Sequence, residues 1–251
     1  MTPLRRRFDE ARLAFMLLTR LPVGKLRDPA PSLAEAQWAY PLVGLVVGIV
    51  TWAVLHGAIA IGIGPYAAAL AAIAATILVT GGLHQDGLAD FVDGIGGGRD
   101  RTHCLEIMRD SRIGSYGVVA LILAVGTSAA ALGDIAGYLT LATALTIAVS
   151  SRLAMLAVLL ALPAARGDGL GFSAAAGLRM ACVPGAMLVT GLTLTMGWSA
   201  LVVIITAAVA TCIIAVLAVR HIGGQTGDVL GAVQAVSEAL AWLALSAALS
   251  P

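Results

Sequence analysis

Seven apolar runs, at residues 40–63, 66–83, 117–133, 138–162, 180–196, 200–219 and 229–249, constrain this chain more than any other feature. Each is long enough for a helix to cross a hydrocarbon layer of about 30 Å, which takes roughly 17–25 residues. A mean hydropathy of +0.96 excludes an ordinary water-soluble globule. The expected fold is all-α: a polytopic integral-membrane helical bundle with about seven transmembrane helices, built as one membrane-embedded domain over residues 1–251.

Basic residues orient the bundle, because cytoplasmic loops carry an excess of Lys and Arg. The short turns at 64–65, 134–137 and 197–199 contain neither. Arg5, Arg6, Arg7, Arg12, Arg20, Lys25, Arg27, Arg99, Arg101, Arg109, Arg112, Arg166, Arg179 and Arg220 fall on the opposite side, and Arg152 alone lies inside a span. The N-terminus and the working face are therefore expected in the cytoplasm, with an odd span count placing the C-terminus outside. That face comprises an N-terminal arm (1–39), an acidic and basic loop (84–116), and loops at 164–179 and 220–228. The four apolar residues 15–18 are too few for a signal-peptide core, so the N-terminus is expected to be retained. Cys104, Cys182 and Cys212 lack metal spacing and suggest neither a disulfide nor a zinc site. A net charge of +1 distributed by topology gives no nucleic-acid-binding surface. Ala- and Gly-rich spans suit close helix packing, including against a second copy in a homo-oligomer.

Against this apolar background, the segment from His84 to Asp93 carries Asp86, Asp90 and Asp93. If helical, it gathers all three carboxylates within an arc of roughly 60°, at about 100° of rotation per residue. Such a stripe repels itself unless a cation sits in it, and hard oxygen donors suit Mg²⁺ or Mn²⁺. His84 falls on the other side of an ideal helix from Asp86 and reads as a cap or interfacial hydrogen-bonding group. Downstream, Glu106 and Asp110 are one helical turn apart, and Arg109 and Arg112 offer guanidinium groups suited to phosphate oxygens. The acidic, glycine-punctuated turn from Arg166 through Asp168 to Gly171 and the segment Gly223-Gly224-Gln225-Thr226-Gly227-Asp228 add polar groups to the same face. The last span carries Gln234, Ser237 and Glu238; a full charge there is costly unless paired, either structurally with Arg152 or around a ligand.

Together these motifs resemble the cobalamin synthase family, the adenosylcobinamide-GDP ribazoletransferases. The resemblance takes in Thr19-Arg-Leu-Pro-Val23, Tyr40-Pro-Leu-Val-Gly44, the stretch from Thr80 to Gly94, the stretch from Leu105 to Gly114, Ser151-Arg152, Gly169-Leu-Gly171, and the stretch from Gly223 to Asp228. It implies an inner-membrane, Mg²⁺-dependent phosphotransferase that joins α-ribazole, or its 5′-phosphate, to adenosylcobinamide-GDP and releases GMP. Asp86, Asp90 and Asp93 would then hold metal, and Glu106 or Asp110 would accept the nucleophile's proton. Arg109 and Arg112 would clamp phosphate, while His84, Arg152, Gln225, Asp228 and Glu238 would bind substrate or help close the site. The arm containing Arg20-Leu21-Pro22 is expected to fold against the active face. CDP-alcohol phosphotransferases bear a more distant likeness, and Asp90 departs from their pattern. An ion-coupled transporter would spread its polar groups across the bilayer midplane, whereas here they crowd one face.

Overall fold

The computed structural model describes residues 3–177 and 179–249; residues 1, 2, 178, 250 and 251 of the expected domain lie outside them. Among the described residues every regular element is helical. In order the α-helices are α1 (Pro3–Leu18), the single turn α2 (Leu33–Ala36), α3 (Tyr40–Ala60), α4 (Pro65–Thr80), α5 (Leu83–Gly97) and α6 (Arg101–Ile107). They continue with α7 (Ser115–Asp134), α8 (Leu141–Ala161), α9 (Gly169–Ala174), α10 (Cys182–Thr193), α11 (Ser199–Ile222) and α12 (Gly227–Leu249). Pro41 and Pro65 sit in the first turns of α3 and α4, where a missing N–H leaves no helical bond unmade.

Among the described residues five helical stretches are long and apolar enough to cross a membrane: Leu33–Ala60, α7, α8, α11 and α12; α4 with α5, bent by 91°, makes a sixth if the pair counts as one. Two of the seven apolar runs thus shorten on folding. α4 has 16 residues and α10 only 12, or about 24 Å and about 18 Å at 1.5 Å per residue. Hydropathy marks apolar residues but not helix ends. Past Thr190, the hydroxyls of Thr193 and Thr195 donate to the carbonyls of Thr190 and Leu192 at 2.8 Å, a local alternative that competes with helix continuation.

Glycine decides how closely the central helices meet. In their most apolar 18-residue stretches, 67% of α8 and 72% of α12 are buried, against 22% of α7 and 28% of α11, so α8 and α12 form the middle of the bundle. On α3, Gly44 and Gly48 face the α8 backbone so tightly that a Cβ would come 2.6 Å from Ala148 O or 2.8 Å from Leu145 Cα. Small residues one turn apart permit this backbone-to-backbone contact, which supplies dispersion where lipid removes the hydrophobic driving force.

The N-terminal arm is folded in as expected. Asp9 and Glu10 of α1 are buried; Arg12 bonds Asp9 at 3.0 Å, and both Arg7 and the Trp38 indole N–H reach Glu10 at 2.7 Å. The Arg20 amide donates to Val79 O at 2.7 Å. Its side chain lies across Gly81, where any Cβ would collide with it.

Candidate active site

The site begins at the bend between α4 and α5. Gly81 and Gly82 both adopt left-handed backbone, with φ of 68° and 71°, conformations that L side chains avoid. The chain turns there and launches α5 across the start of α12. At the crossing, a Cβ on Gly87 would lie 3.0 Å from Asp228 O, and one on Gly231 would lie 3.1 Å from Gly87 Cα. Two glycines thus let the helices approach closely enough to set Asp86 and Asp90 near Asp228. His84, Asp86, Gly87, Asp228 and Gly231 line one cavity of about 230 Å³. His84, expected on the far side of α5 from Asp86, shares this cavity with it because the cavity wraps the helix's first turn.

The acidic helix forms as its spacing predicts, but its three carboxylates do different things. Asp86 is exposed and Asp90 half-buried. Asp90 feels three like charges, Asp86, Asp228 and Asp93, with Arg166 as the opposing cation. Asp93, expected beside them as a metal ligand, is buried and has both oxygens engaged: Gly114 N–H donates to Oδ2 at 2.7 Å and Gly117 N–H to Oδ1 at 2.8 Å. It satisfies otherwise orphaned donors at the N-terminus of α7 from another helix.

Asp228 is positioned by two loops stitched together. Ala165 N–H donates to Gln225 O and Gln225 N–H to Pro163 O, both at 2.8 Å. The stitch requires glycine at 224, where a Cβ would fall 2.1 Å from Pro163 O. It carries Arg166 in beside the acidic group: its Nη1 lies 3.5 Å from Asp228 Oδ2, and its Nη2 donates to Leu105 O at 3.1 Å. Burial pulls the Arg166 guanidinium below its ordinary pKa, while Asp228 acts in the opposite direction. Gln225 donates to Gly171 O at 3.1 Å. Three buried polar atoms in and beside this site, His84 Nε2, Gln225 Oε1 and Arg166 Nε, have no protein partner among the described residues. Such atoms are costly unless a ligand or water satisfies them.

The remaining expected residues separate into three groups. Arg152 and Glu238 pair at 3.1 Å inside the bundle, where Ser151 and Gln234 also donate to Glu238. Arg109 is held by Asp168 through two bonds of 2.6 and 2.7 Å, and both residues line a cleft with Glu106. α6 ends at Ile107, so Asp110 does not continue a helical face with Glu106. Instead, Asp110 and Arg112 pair at the surface at 2.7 Å and line neither the cavity nor the cleft. The Arg112 bond draws the Asp110 carboxyl down to about 2.

Among the described residues no three His, Cys, Asp or Glu side chains converge tightly enough to hold a metal ion unaided. The donor chemistry nonetheless suits magnesium, which usually takes one or two carboxylates together with substrate phosphates. Asp86, Asp90 and Asp228 supply like-charged hard oxygens with room for such a substrate.

A model of the family described as cobalamin-5-phosphate synthase matches residues 10–246. The chain belongs to that family. Relatives of this cobalamin-5-phosphate synthase family member bear the name adenosylcobinamide-GDP ribazoletransferase. The one from Bradyrhizobium diazoefficiens is 45% identical over 242 residues, covering 95% of this chain and 93% of its own. Those from Mesorhizobium japonicum and Xanthobacter autotrophicus are 39% and 44% identical, covering 96% and 89% of this chain and 94% and 90% of theirs. No solved structure matches. The family resemblance read from the motifs is borne out. Arg166, which the motif reading left without a role, is the main addition to this candidate site; its only sequence signal was the glycine-flanked Asp168 two residues on.

Proposed function

We propose that this protein joins α-ribazole, or its 5′-phosphate, to adenosylcobinamide-GDP and releases GMP, working at the cytoplasmic face of a bacterial inner membrane. The observation that carries the reading is the gathering of Asp86, Asp90 and Asp228 beside Arg166, with Asp86 and Asp228 lining one cavity, in a chain whose relatives are named for this transfer. In the reaction, a ribose hydroxyl oxygen forms a bond to the phosphorus that carries the corrinoid side chain. The bond from that phosphorus to the bridging oxygen breaks, and GMP departs with the oxygen. The hydroxyl's proton passes to a carboxylate of the cavity.

Asp86, Asp90 and Asp228 would hold Mg²⁺ together with substrate phosphates; when bound, the ion neutralises charge on the pyrophosphate and leaving group. Arg166 holds a phosphate oxygen by charge-assisted hydrogen bonding. His84 Nε2 and Gln225 Oε1 orient polar groups of the incoming substrate. Asp93 keeps α7 docked on α5, fixing the helix that presents Asp86 and Asp90. The Arg152–Glu238 pair braces α8 against α12 below them.

The test is single-turnover GMP release by purified protein given adenosylcobinamide-GDP and α-ribazole phosphate, with and without Mg²⁺. Asp86→Asn and Asp90→Asn should each lower the rate by roughly 10²–10³, the scale of losing one group that stabilises transition-state charge, while leaving the thermal unfolding temperature unchanged. Full activity in either variant, or metal-independent release, would overturn this assignment.

A further inference from the structure

Resting on the transferase reading above, we infer that the cleft behind Arg166 is a guanylate subsite, in which Glu106 reads the guanine base and Arg101 and Arg166 hold the phosphate end. The cleft has a volume of about 530 Å³ between α6 and the turn at residues 165–168, within the usual range for small-molecule sites. Arg166 and Asp168 line both this cleft and a second cavity of about 230 Å³ that contains Gln225 and Asp228. The cleft therefore starts where the acidic site ends. A pyrophosphate laid across this boundary has its reacting phosphorus at the carboxylates, its departing phosphate at Arg166 and its nucleoside beyond.

The walls of the cleft have the donors and acceptors that such a nucleotide needs. Arg101 donates to Ala165 O at 3.0 Å and runs alongside Gly223, where a Cβ would lie 3.5 Å from its Cζ. Its remaining N–H groups are free for phosphate, since a guanidinium has five. Arg109 is already engaged by Asp168, and Arg166 keeps a buried Nε without a partner. Glu106 is the exception on this wall: its carboxylate has neither a hydrogen bond nor an ion pair among the described residues. A carboxylate only accepts, through two adjacent oxygens. Guanine presents two adjacent donors, N1–H and the 2-amino group, while adenine presents an acceptor at N1. Glu106 is thus matched to guanine and mismatched to adenine, a specificity-determining role in place of the proton-accepting one expected from sequence.

The experiment measures equilibrium binding of GMP, IMP and AMP to the detergent-solubilised full chain, to Glu106→Gln and to Arg101→Ala, with GMP release from adenosylcobinamide-GDP assayed on the same preparations. Wild type should favour GMP over AMP by roughly ten- to hundredfold, the scale of a charge-assisted hydrogen bond, with IMP between them. Glu106→Gln should erase that preference by weakening GMP most, IMP less and AMP not at all, and Arg101→Ala should weaken all three nucleotides alike. If wild type releases GMP but binds AMP as well as GMP, or keeps its preference after Glu106→Gln, the subsite is overturned and the transferase reading stands. If well-folded wild type releases no GMP, the transferase reading fails and takes the subsite with it.

Discussion

Two Arg–carboxylate pairs in this protein meet at hydrogen-bonding distance in opposite surroundings. Arg112 and Asp110 meet at 2.7 Å with side chains 87% and 37% exposed; Arg152 and Glu238 meet at 3.1 Å with side chains 2% and 20% exposed. The shorter contact is the weaker constraint. At the surface, water solvates either partner alone, so the pair contributes little. Inside the bundle, Arg152 is surrounded by α8 and α12, and removing its partner would strand a charge that water cannot reach. Proximity alone does not rank ion pairs; the solvation available to each partner after separation does.

Breaking the buried pair should give the largest effect on stability. Glu238→Ala leaves Arg152 uncompensated and is expected to cost roughly 3–5 kcal/mol, seen as a large drop in unfolding temperature in detergent. Replacing both partners with apolar residues, Arg152→Met with Glu238→Leu, should recover most of that loss. If the single and double variants unfold alike, Glu238 is not compensating a buried charge.

Asp93 sharpens the comparison from between the extremes, being a buried carboxylate paired with backbone amides instead of a cation. Asp93→Ala should cost about 1–2 kcal/mol, the range for losing a helix cap, and should lower activity by loosening α7 from α5. An unchanged unfolding temperature would show that α7 holds its position without the cap.

The exposed pair should give the smallest effect, and its sign follows from the Asp110 carboxyl, which Arg112 draws down to about 2. A depressed carboxylate pKa stabilises the folded state above the ordinary unfolded value, near 3.9, and that contribution is lost as pH falls through about 2. Wild type should therefore unfold only slightly above Asp110→Asn at pH 7, with the difference vanishing at the acid end of a pH series of melts. A difference that grows in acid would reverse the assignment.

Much of the site was legible because helical periodicity is a local property. The four- and three-residue spacings put Asp86, Asp90 and Asp93 on one side of α5 without reference to the rest of the chain. Periodicity does not name the neighbour a face will meet. The amides of Gly114 and Gly117, which engage Asp93, are 21 and 24 residues away. The same limit applied downstream, where α6 ended before Asp110 and removed the helical turn assumed between Glu106 and Asp110. Arg166 was harder to see, because its approach to Asp228 depends on the backbone stitch between Ala165 and Gln225.

By itself the sequence determined that the chain is helical and membrane-embedded, that its polar groups collect at one end, and which family it belongs to. These follow from hydropathy, charge bias and contiguous motifs, all encoded over short distances. Only the tertiary structure decided that α4 and α10 stop short, that Asp93 caps a helix, and that Arg152 and Glu238 form an ion pair. It also separated Glu106 into a cleft behind Arg166. Each of these depends on close packing between segments far apart in the chain, where a missing Cβ at Gly87, Gly224 or Gly231 determines which groups meet.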